Sequence, residues 1–247
     1  MDSDLASSKA WELLRRSLSR DRLAHGYLFI GDDLDSLEVG AEALAQTLNC
    51  SAPPERSPGG TPMAPCGQCP NCHRIAARNH ADVTWVRPEN KSRQISADQT
   101  REIVRMITLK PMQGFHKMVI FAGADRMNTS AANIFLKTLE EPPAHTTLLL
   151  LTTRPYALLP TIRSRTQHFE FSLLTATELE DYVRWVVADA GLTVDDDAVS
   201  WVVRQGRGSA RDTLSALDQV VAAGGVVVRA EPVEQLYQAV SDKDPGA

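Results

Sequence analysis

Hydrophobic positions along this chain recur with two periods, and the change from one to the other divides it. Trp11, Leu14 and Leu18 return at helical spacing, which predicts an amphipathic helix over 6–20. Tyr27–Ile30 is a short apolar run of strand type, followed by Gly31 and by a helical pattern over 36–48. Asp82–Arg87 alternates as a strand does. Ser96 and Gln99 have capping-box spacing and open a predicted helix to about Thr108. Lys117–Ala122 and Thr146–Thr152 read as buried strands, with Gln167–Phe171 as a fifth. Asn128, Thr129 and Ser130 offer cap chemistry for a helix running to Glu140, with Ala131, Phe135 and Leu139 on one face. Glu141-Pro142-Pro143 ends it, because proline lacks the N–H the next turn needs.

After Ser172 the pattern is helical only. Thr177 and Glu180 have capping-box spacing for a helix ending at Gly191, and further helices are predicted over 195–205 and 209–222. Strands alternating with helices imply an α/β fold, a parallel sheet covered on both faces. The predicted division is an α/β domain over 1–171, a helical lid over 172–222 and a short tail over 223–247. Charge changes at the same place. Residues 1–171 carry 20 Lys/Arg against 18 Asp/Glu, whereas 172–247 carry 6 against 13.

A net charge of −5 weakens the idea of a chain that grips nucleic acid alone, since that requires clustered positive charge. The hydrophobic content of 43% is that of an ordinary soluble protein. MDSDLASSKAWELL lacks the basic-then-apolar run of a signal peptide, and no apolar run approaches bilayer length. A cytoplasmic protein without a membrane partner is expected.

A strand, a glycine and a helix, as in 27–48, is where a phosphate loop G-x-x-x-x-G-K-[ST] would lie. Here Gly31 is followed by Asp32, Asp33 and Asp35, with Leu37 where the lysine would fall and Glu38 where the hydroxyl would fall. Carboxylates facing a polyphosphate repel it, so this chain is expected to bind no ATP. All four cysteines, Cys50, Cys66, Cys69 and Cys72, lie in one segment, and in a reducing compartment they point to a metal rather than to disulfides. Four thiolates suit a closed tetrahedral zinc site with a structural role. The fifteen residues between Cys50 and Cys66 leave His73 or His80 as alternatives to Cys50. Ser51–Pro65, rich in Pro, Gly and Ser, is expected to be a mobile loop.

LAHGYLF with LNC, the CxxCxxC cluster, ANIFLKTLEEPP, LTTRP, TIRSR and GSARD follow one another over Leu23–Gln219. In that order they resemble the bacterial clamp-loader subunits of DNA polymerase III, the gamma/tau and delta-prime family of AAA+ ATPases. The resemblance implies an AAA+-like P-loop NTPase fold with a zinc-binding insertion at about 50–72, followed by a small helical lid. The degenerate loop points within the family to the delta-prime type. An active relative would follow the strand Lys117–Ala122 with Asp-Glu for Mg²⁺, whereas this chain has Gly123 and Ala124, with Asp125 one step beyond as a turn residue.

The resemblance also implies that Arg165, in Ser164-Arg165-Thr166, is an arginine finger reaching a neighbouring subunit's ATP. Arg163 is the lesser candidate. Arg211 resembles a sensor-2 arginine, and Thr152 and Thr153 fall in the sensor-1 region; with no phosphate to serve, they are expected to be structural. Glu140-Glu141 reads as a helix end rather than a catalytic pair. The implied partners are gamma/tau-type and delta-type subunits, with the sliding clamp and primer-template DNA reached through the complex. Family members add a helical collar of roughly a hundred residues. Val220–Ala247 offers at most one helix near Val233–Val240, so the collar is expected to be absent and the isolated chain monomeric. The rival readings are an active gamma/tau-type ATPase and a free-standing zinc-dependent nucleic-acid-binding module.

Overall fold

The computed structural model describes residues 9–89, 93–171, 174–224 and 227–228. The chain divides into two compact units, Met1–Ser172 and Leu173–Ala247. In the first unit, α1 (Lys9–Ser19) precedes β1 (Gly26–Gly31), α2 (Leu34–Asn49), α3 (Pro70–Ala76), β2 (Val83–Val86) and α4 (Ala97–Ile107). β3 (Lys117–Ala122), α5 (Thr129–Glu140), β4 (Thr146–Thr152), α6 (Pro160–Arg163) and β5 (Gln167–Phe171) complete it. The five strands pair in parallel in the order β2-β3-β4-β1-β5. β4 is central and β1 lies between it and the edge strand β5, with Phe29 opposite both Leu151 and Phe169.

Side chains on successive strand residues point to opposite faces, so each apolar strand feeds two cores. Tyr27, Phe29, Met118, Ile120, Leu149 and Leu151 pack with Trp11, Leu14 and Leu18 of α1 and Leu37, Leu44 and Leu48 of α2. Leu28, Val119, Phe121, Leu148 and Leu150 pack with Ile103 and Ile107 of α4 and Phe135 and Leu139 of α5. Burial on both faces explains why β3 and β4 read as continuous apolar runs. The helix caps follow the sequence closely. Ser96 and Gln99 form the full capping box of α4, and the Asn128 side chain accepts from the Ala131 N–H to start α5.

The second unit holds α7 (Ala176–Asp189), α8 (Asp196–Gly206) and α9 (Ala210–Gly224) around Leu179, Val183, Val199, Val202 and Leu217. Its first cap corrects the sequence reading. The capping box is Thr175–Glu178, not Thr177–Glu180. Both pairs fit the T-x-x-E pattern, but only the earlier one sets Leu174 before the cap and Leu179 at the fourth helical position. Both leucines belong to the same apolar cluster, in the arrangement of a hydrophobic staple. Nor is this unit purely helical, since Thr193–Val194 (β6) and Val227–Val228 (β7) form a short parallel pair. The predicted helix near Val233–Val240 lies outside the described residues. Among the described residues, no helix is long and apolar enough to cross a membrane.

The stretch expected to be a mobile loop is tied down instead. Arg56 and Pro62 form an antiparallel bridge. The Asp21 carboxylate, in the turn between α1 and β1, accepts from the Ser57 hydroxyl, from the Gly59 N–H at 2.8 Å and from the Thr61 hydroxyl at 2.7 Å. A remote carboxylate thus holds the segment together with Met63, which is buried in the core beneath α1 and α2.

Candidate functional site

At the end of β1, two residues link Gly31 to Leu34, the first residue of α2. Asp33 is the N-cap, and its carboxylate accepts from the N–H groups of Asp35 at 2.8 Å and of Ser36 at 3.2 Å. The first N–H groups of a helix are what a phosphate loop offers to phosphate. Here an internal anion already occupies two of them. Leu37, at the lysine position, is fully buried in the core. A side chain at Gly31 would collide with the Leu37 Cδ2 and with the Phe171 carbonyl, each at 2.9 Å, so the backbone and this leucine close on each other.

Glu38 departs from expectation. It does not add to an acidic wall facing the loop. It is buried, and one carboxylate oxygen accepts from Arg78 at 2.9 Å and from Arg87 at 2.5 Å. Asp32, Asp33 and Asp35 are the exposed acids of the loop.

Gly123 takes a left-handed conformation (φ 76°) and begins a short 3₁₀ turn over Ala124–Arg126. Asp125 in that turn has a side chain only 5% exposed. It accepts from the Thr152 hydroxyl at 2.8 Å and from the Arg154 guanidinium at 3.0 and 2.6 Å. The sensor-1-like threonine and the acid near the Mg²⁺ position are therefore brought together, with an arginine as their counter-ion. Thr153 is exposed. For Arg211, the helix that carries it is described but its side chain lies outside the described residues.

Arg165 sits just before β5. Its guanidinium is ion-paired with Glu140 at 2.9 Å and donates to the Thr161 carbonyl at 3.0 Å, while remaining 38% exposed. Glu140 is the last residue of α5 and Glu141 its C-cap, so the carboxylate pair does mark a helix end. Arg163 is turned elsewhere, with its guanidinium over the Tyr156 ring at 5.5 Å.

The four cysteine sulfurs lie within 4.8 Å of one another, so a metal ion could be held among them. Tetrahedral zinc with Zn–S near 2.3 Å requires S···S separations of about 3.8 Å, and the Cys50–Cys69 pair is at 4.0 Å. The sequence brings them together through two helix ends. Cys50 is the C-cap of α2, and Cys69 is the N-cap of α3, which carries Pro70 in its first turn and Cys72 on its buried side. Asn71 and Gln46 bind α3 to α2, Asn71 donating to the Asn49 carbonyl at 2.8 Å and Gln46 to the Cys72 carbonyl at 3.3 Å. Backbone N–H groups of Cys66, Cys69 and Cys72 donate to the sulfurs of Cys50, Cys66 and Cys69 respectively.

Such donors favour thiolates. N–H groups of Gln68 and Cys69 hold the Cys66 thiol below its usual value. Burial opposes ionisation of Cys69, yet hydrogen bonds from Ser51 and Cys72 bring it down to about 5. Burial raises Cys50 and Cys72. A cation at the centre would draw protons from these last two. Cys50 is in the cluster and the histidines are not. His73 is exposed, and the Nδ1 of buried His80 accepts from the Asp82 N–H.

A carboxylate of equal weight escaped notice in the sequence. Asp82, just before β2, accepts from the backbone N–H groups of Met112, Gln113 and Gly114, and Lys117 lies 3.7 Å away. Asn49 similarly accepts from Phe115 and His116. Nothing local marks Asp82, because its partners are about thirty residues downstream.

The strand order, the strand-to-helix turn after β1, and the acid and threonine after β3 and at the end of β4 define the AAA+ class of α/β protein, with a helical lid. Within that class the chain belongs to the DNA polymerase III clamp-loader subunits. Residues 6–175 match the family described as DNA polymerase III, delta subunit, and 178–226 match the clamp loader subunit ATPase lid domain. The chain is 35% identical over 206 residues to DNA polymerase III subunit gamma/tau of Mycobacterium bovis, covering 83% of this chain and 34% of that one. It is 37% identical over 146 residues to the delta′ subunit of Pseudomonas aeruginosa, covering 59% of this chain and 42% of that one. A gamma subunit-related protein of Thermotoga maritima superposes with a TM-score of 0.54 at 25% identity, covering 85% and 58% of the two chains. The chain thus spans about one third of the length of the gamma/tau relative.

Proposed function

We propose that this chain is a non-hydrolysing, delta-prime-type subunit of a cytoplasmic DNA polymerase III clamp loader. In this reading it binds no ATP and lends Arg165 to the ATP site of a neighbouring gamma/tau-type subunit. It acts beside a delta-type subunit in placing the sliding clamp on primer-template DNA. The division into an α/β domain over 1–171, a lid over 172–222 and a tail is part of the same proposal. The observation that carries it is Asp33, whose carboxylate holds the α2 N–H groups that phosphate would need. Leu37 in the core and Arg154 on Asp125 add support, since phosphoryl transfer depends on a lysine and Mg²⁺ where this chain has neither a lysine nor an uncommitted acid. The cysteine cluster is proposed to hold one structural zinc, because its donors are four sulfurs without an open position for chemistry.

Arg165 is exposed enough to leave Glu140 for a γ-phosphate, a stronger partner for a guanidinium than one surface carboxylate. In the reconstituted loader, Arg165→Ala should lower DNA-stimulated turnover at the neighbouring site by roughly 10³-fold or more with little change in ATP affinity, because a finger acts on the transition state. Wild-type turnover in that complex would remove the finger from the reading. The gamma/tau relative favours a second reading, an active ATPase. Titration with Mg-ATP and a phosphate-release assay separate the two: micromolar affinity at the strand-to-helix loop would refute the ATP-free subunit, and turnover there would establish the motor.

A further inference from the structure

A pocket of about 340 Å³ opens beside the cysteine module, lined by Arg74, Arg78, Asn79, His80, Ala81 and Gln113. Its size is at the lower end for ligand pockets, about 300–1,000 Å³. The lining contains two guanidinium groups, two side-chain amides and an imidazole, and no carboxylate.

Arg74 stands on α3 and donates to the Gln113 side chain at 3.3 Å; among the described residues it has no carboxylate partner. Arg78 follows α3 in a left-handed turn (φ 56°) that the Asn79 N–H closes onto the Arg74 carbonyl. Its guanidinium lies 3.5 Å over the Trp85 ring and gives one nitrogen to Glu38, which Arg87 also neutralises. Gln113 is fixed by the Asp82 carboxylate on its backbone N–H at 2.6 Å. Asp82 itself is enclosed by three N–H groups and Lys117, so it adds little negative potential to the pocket.

His80 is the buried member of the lining, only 5% exposed. Its Nδ1 accepts from the Asp82 N–H at 3.1 Å, so the proton of the neutral ring is on Nε2. Burial lowers the His80 pKa, which keeps the ring neutral. Nε2 is buried and has no hydrogen-bond partner. A buried donor without an acceptor is rare in folded proteins and calls for an explanation.

We propose that this pocket binds a phosphate group, with Arg74 and Arg78 as its cationic clamp and the Nε2–H of His80 as its buried donor. The chemistry is shared by free phosphate and by the phosphodiester of a nucleic acid strand. Arginine forks match tetrahedral phosphate oxygens in geometry and charge, and a phosphate supplies acceptors in several directions at once. The site is separate from the strand-to-helix loop after β1, so it neither needs nor excludes the function proposed above.

The test uses the full zinc-loaded chain with two probes, inorganic phosphate by calorimetry and a single-stranded oligonucleotide by fluorescence anisotropy. Saturable binding of at least one probe is expected, weakened tenfold or more by Arg74→Gln and unchanged by Arg101→Gln, a surface arginine on α4. Saturation should also shift the His80 Nε2 resonance in a long-range ¹H–¹⁵N spectrum. Binding of both probes in competition identifies the phosphate group itself as the ligand, and binding of the oligonucleotide alone identifies the backbone of a strand. No saturable binding of either probe, equal affinity in Arg74→Gln, or an unmoved His80 signal at saturation would each overturn the proposal. Weak ATP binding that disappears in Arg74→Gln would belong to this pocket and not to the loop, so the variant also cleans the titration proposed above.

Discussion

The two edges of the central sheet have been treated in opposite ways. Parallel sheets carry their ligands at the C-terminal ends of the strands. In this chain that edge is closed: Asp33 caps α2, Leu37 fills the space under Gly31, and Arg154 neutralises Asp125. At the N-terminal edge α2 ends in Cys50, Asp82 precedes β2, and Arg165 precedes β5. Found there are four gathered sulfurs, a half-exposed arginine paired with a surface carboxylate, and a buried histidine nitrogen without a partner. In the function proposed above the C-terminal edge binds no nucleotide, which leaves the other edge as the place to look.

The comparison can be broken most severely at the cysteines. Structural thiolate sites hold zinc with an apparent 10–16 kcal/mol, roughly, at neutral pH. Metal-replete protein should contain one zinc per chain by elemental analysis. Chelation should disorder the segment from Cys50 to Ala76 while far-UV circular dichroism keeps the signal of the sheet. Collapse of the whole α/β unit would mean that the two edges are not independent. Leu37→Lys comes next, since it replaces a fully buried leucine with a charge. It should cost roughly 3–5 kcal/mol in denaturant melts and yield no Mg-ATP affinity, because Asp33 still holds the helix N–H groups.

Asp82→Asn should cost about 2–3 kcal/mol, the loss of charged acceptance by three N–H groups beside Lys117. Its pH signature is specific. Burial raises the Asp82 carboxyl, but the N–H groups of Gly114, Gln113 and Met112, with Lys117, outweigh that and hold it below the ordinary range. A carboxyl depressed on folding contributes stability that is complete above about pH 4 and is lost as pH falls through its lower folded value. Wild-type protein should show that acid limb in melts below about pH 4, and Asp82→Asn should flatten it. The smallest effect is that of Asp33→Ala, about 1 kcal/mol for a lost cap. It frees the helix N–H groups but leaves Leu37 in place, so ATP affinity should stay undetectable; a gain would show that the cap alone closes this edge.

Much of this was legible because it is local. Caps at Ser96 and Asn128, strands β3, β4 and β5, and the CxxCxxC spacing all announce themselves within a few residues. Asp33 was read for its charge alone: the helix was expected from Ser36, but it begins at Leu34, which makes Asp33 its cap. The pairing of Glu38 with Arg78 and Arg87 spans 40 and 49 residues, and that of Asp82 with Gly114 spans 32. No window on the sequence contains both members of such a pair. The two overlapping T-x-x-E patterns at the start of α7 could be ranked only by asking which leucine then falls on the staple.

Helix α2 joins the two edges. Its sixteen residues make a rod of about 24 Å, with a carboxylate at one end and a cysteine of the four-sulfur cluster at the other. Helices normally open from their ends, and their terminal amides exchange fastest with solvent. A helix fastened at both ends loses those two starting points, so amide hydrogens in its last turn should exchange nearly as slowly as those at its centre. Stripping the metal would release one end alone. Exchange should then spread inward from Asn49 toward Leu44 and stop there, turning this helix into a one-sided gauge of whether the cysteine site is filled.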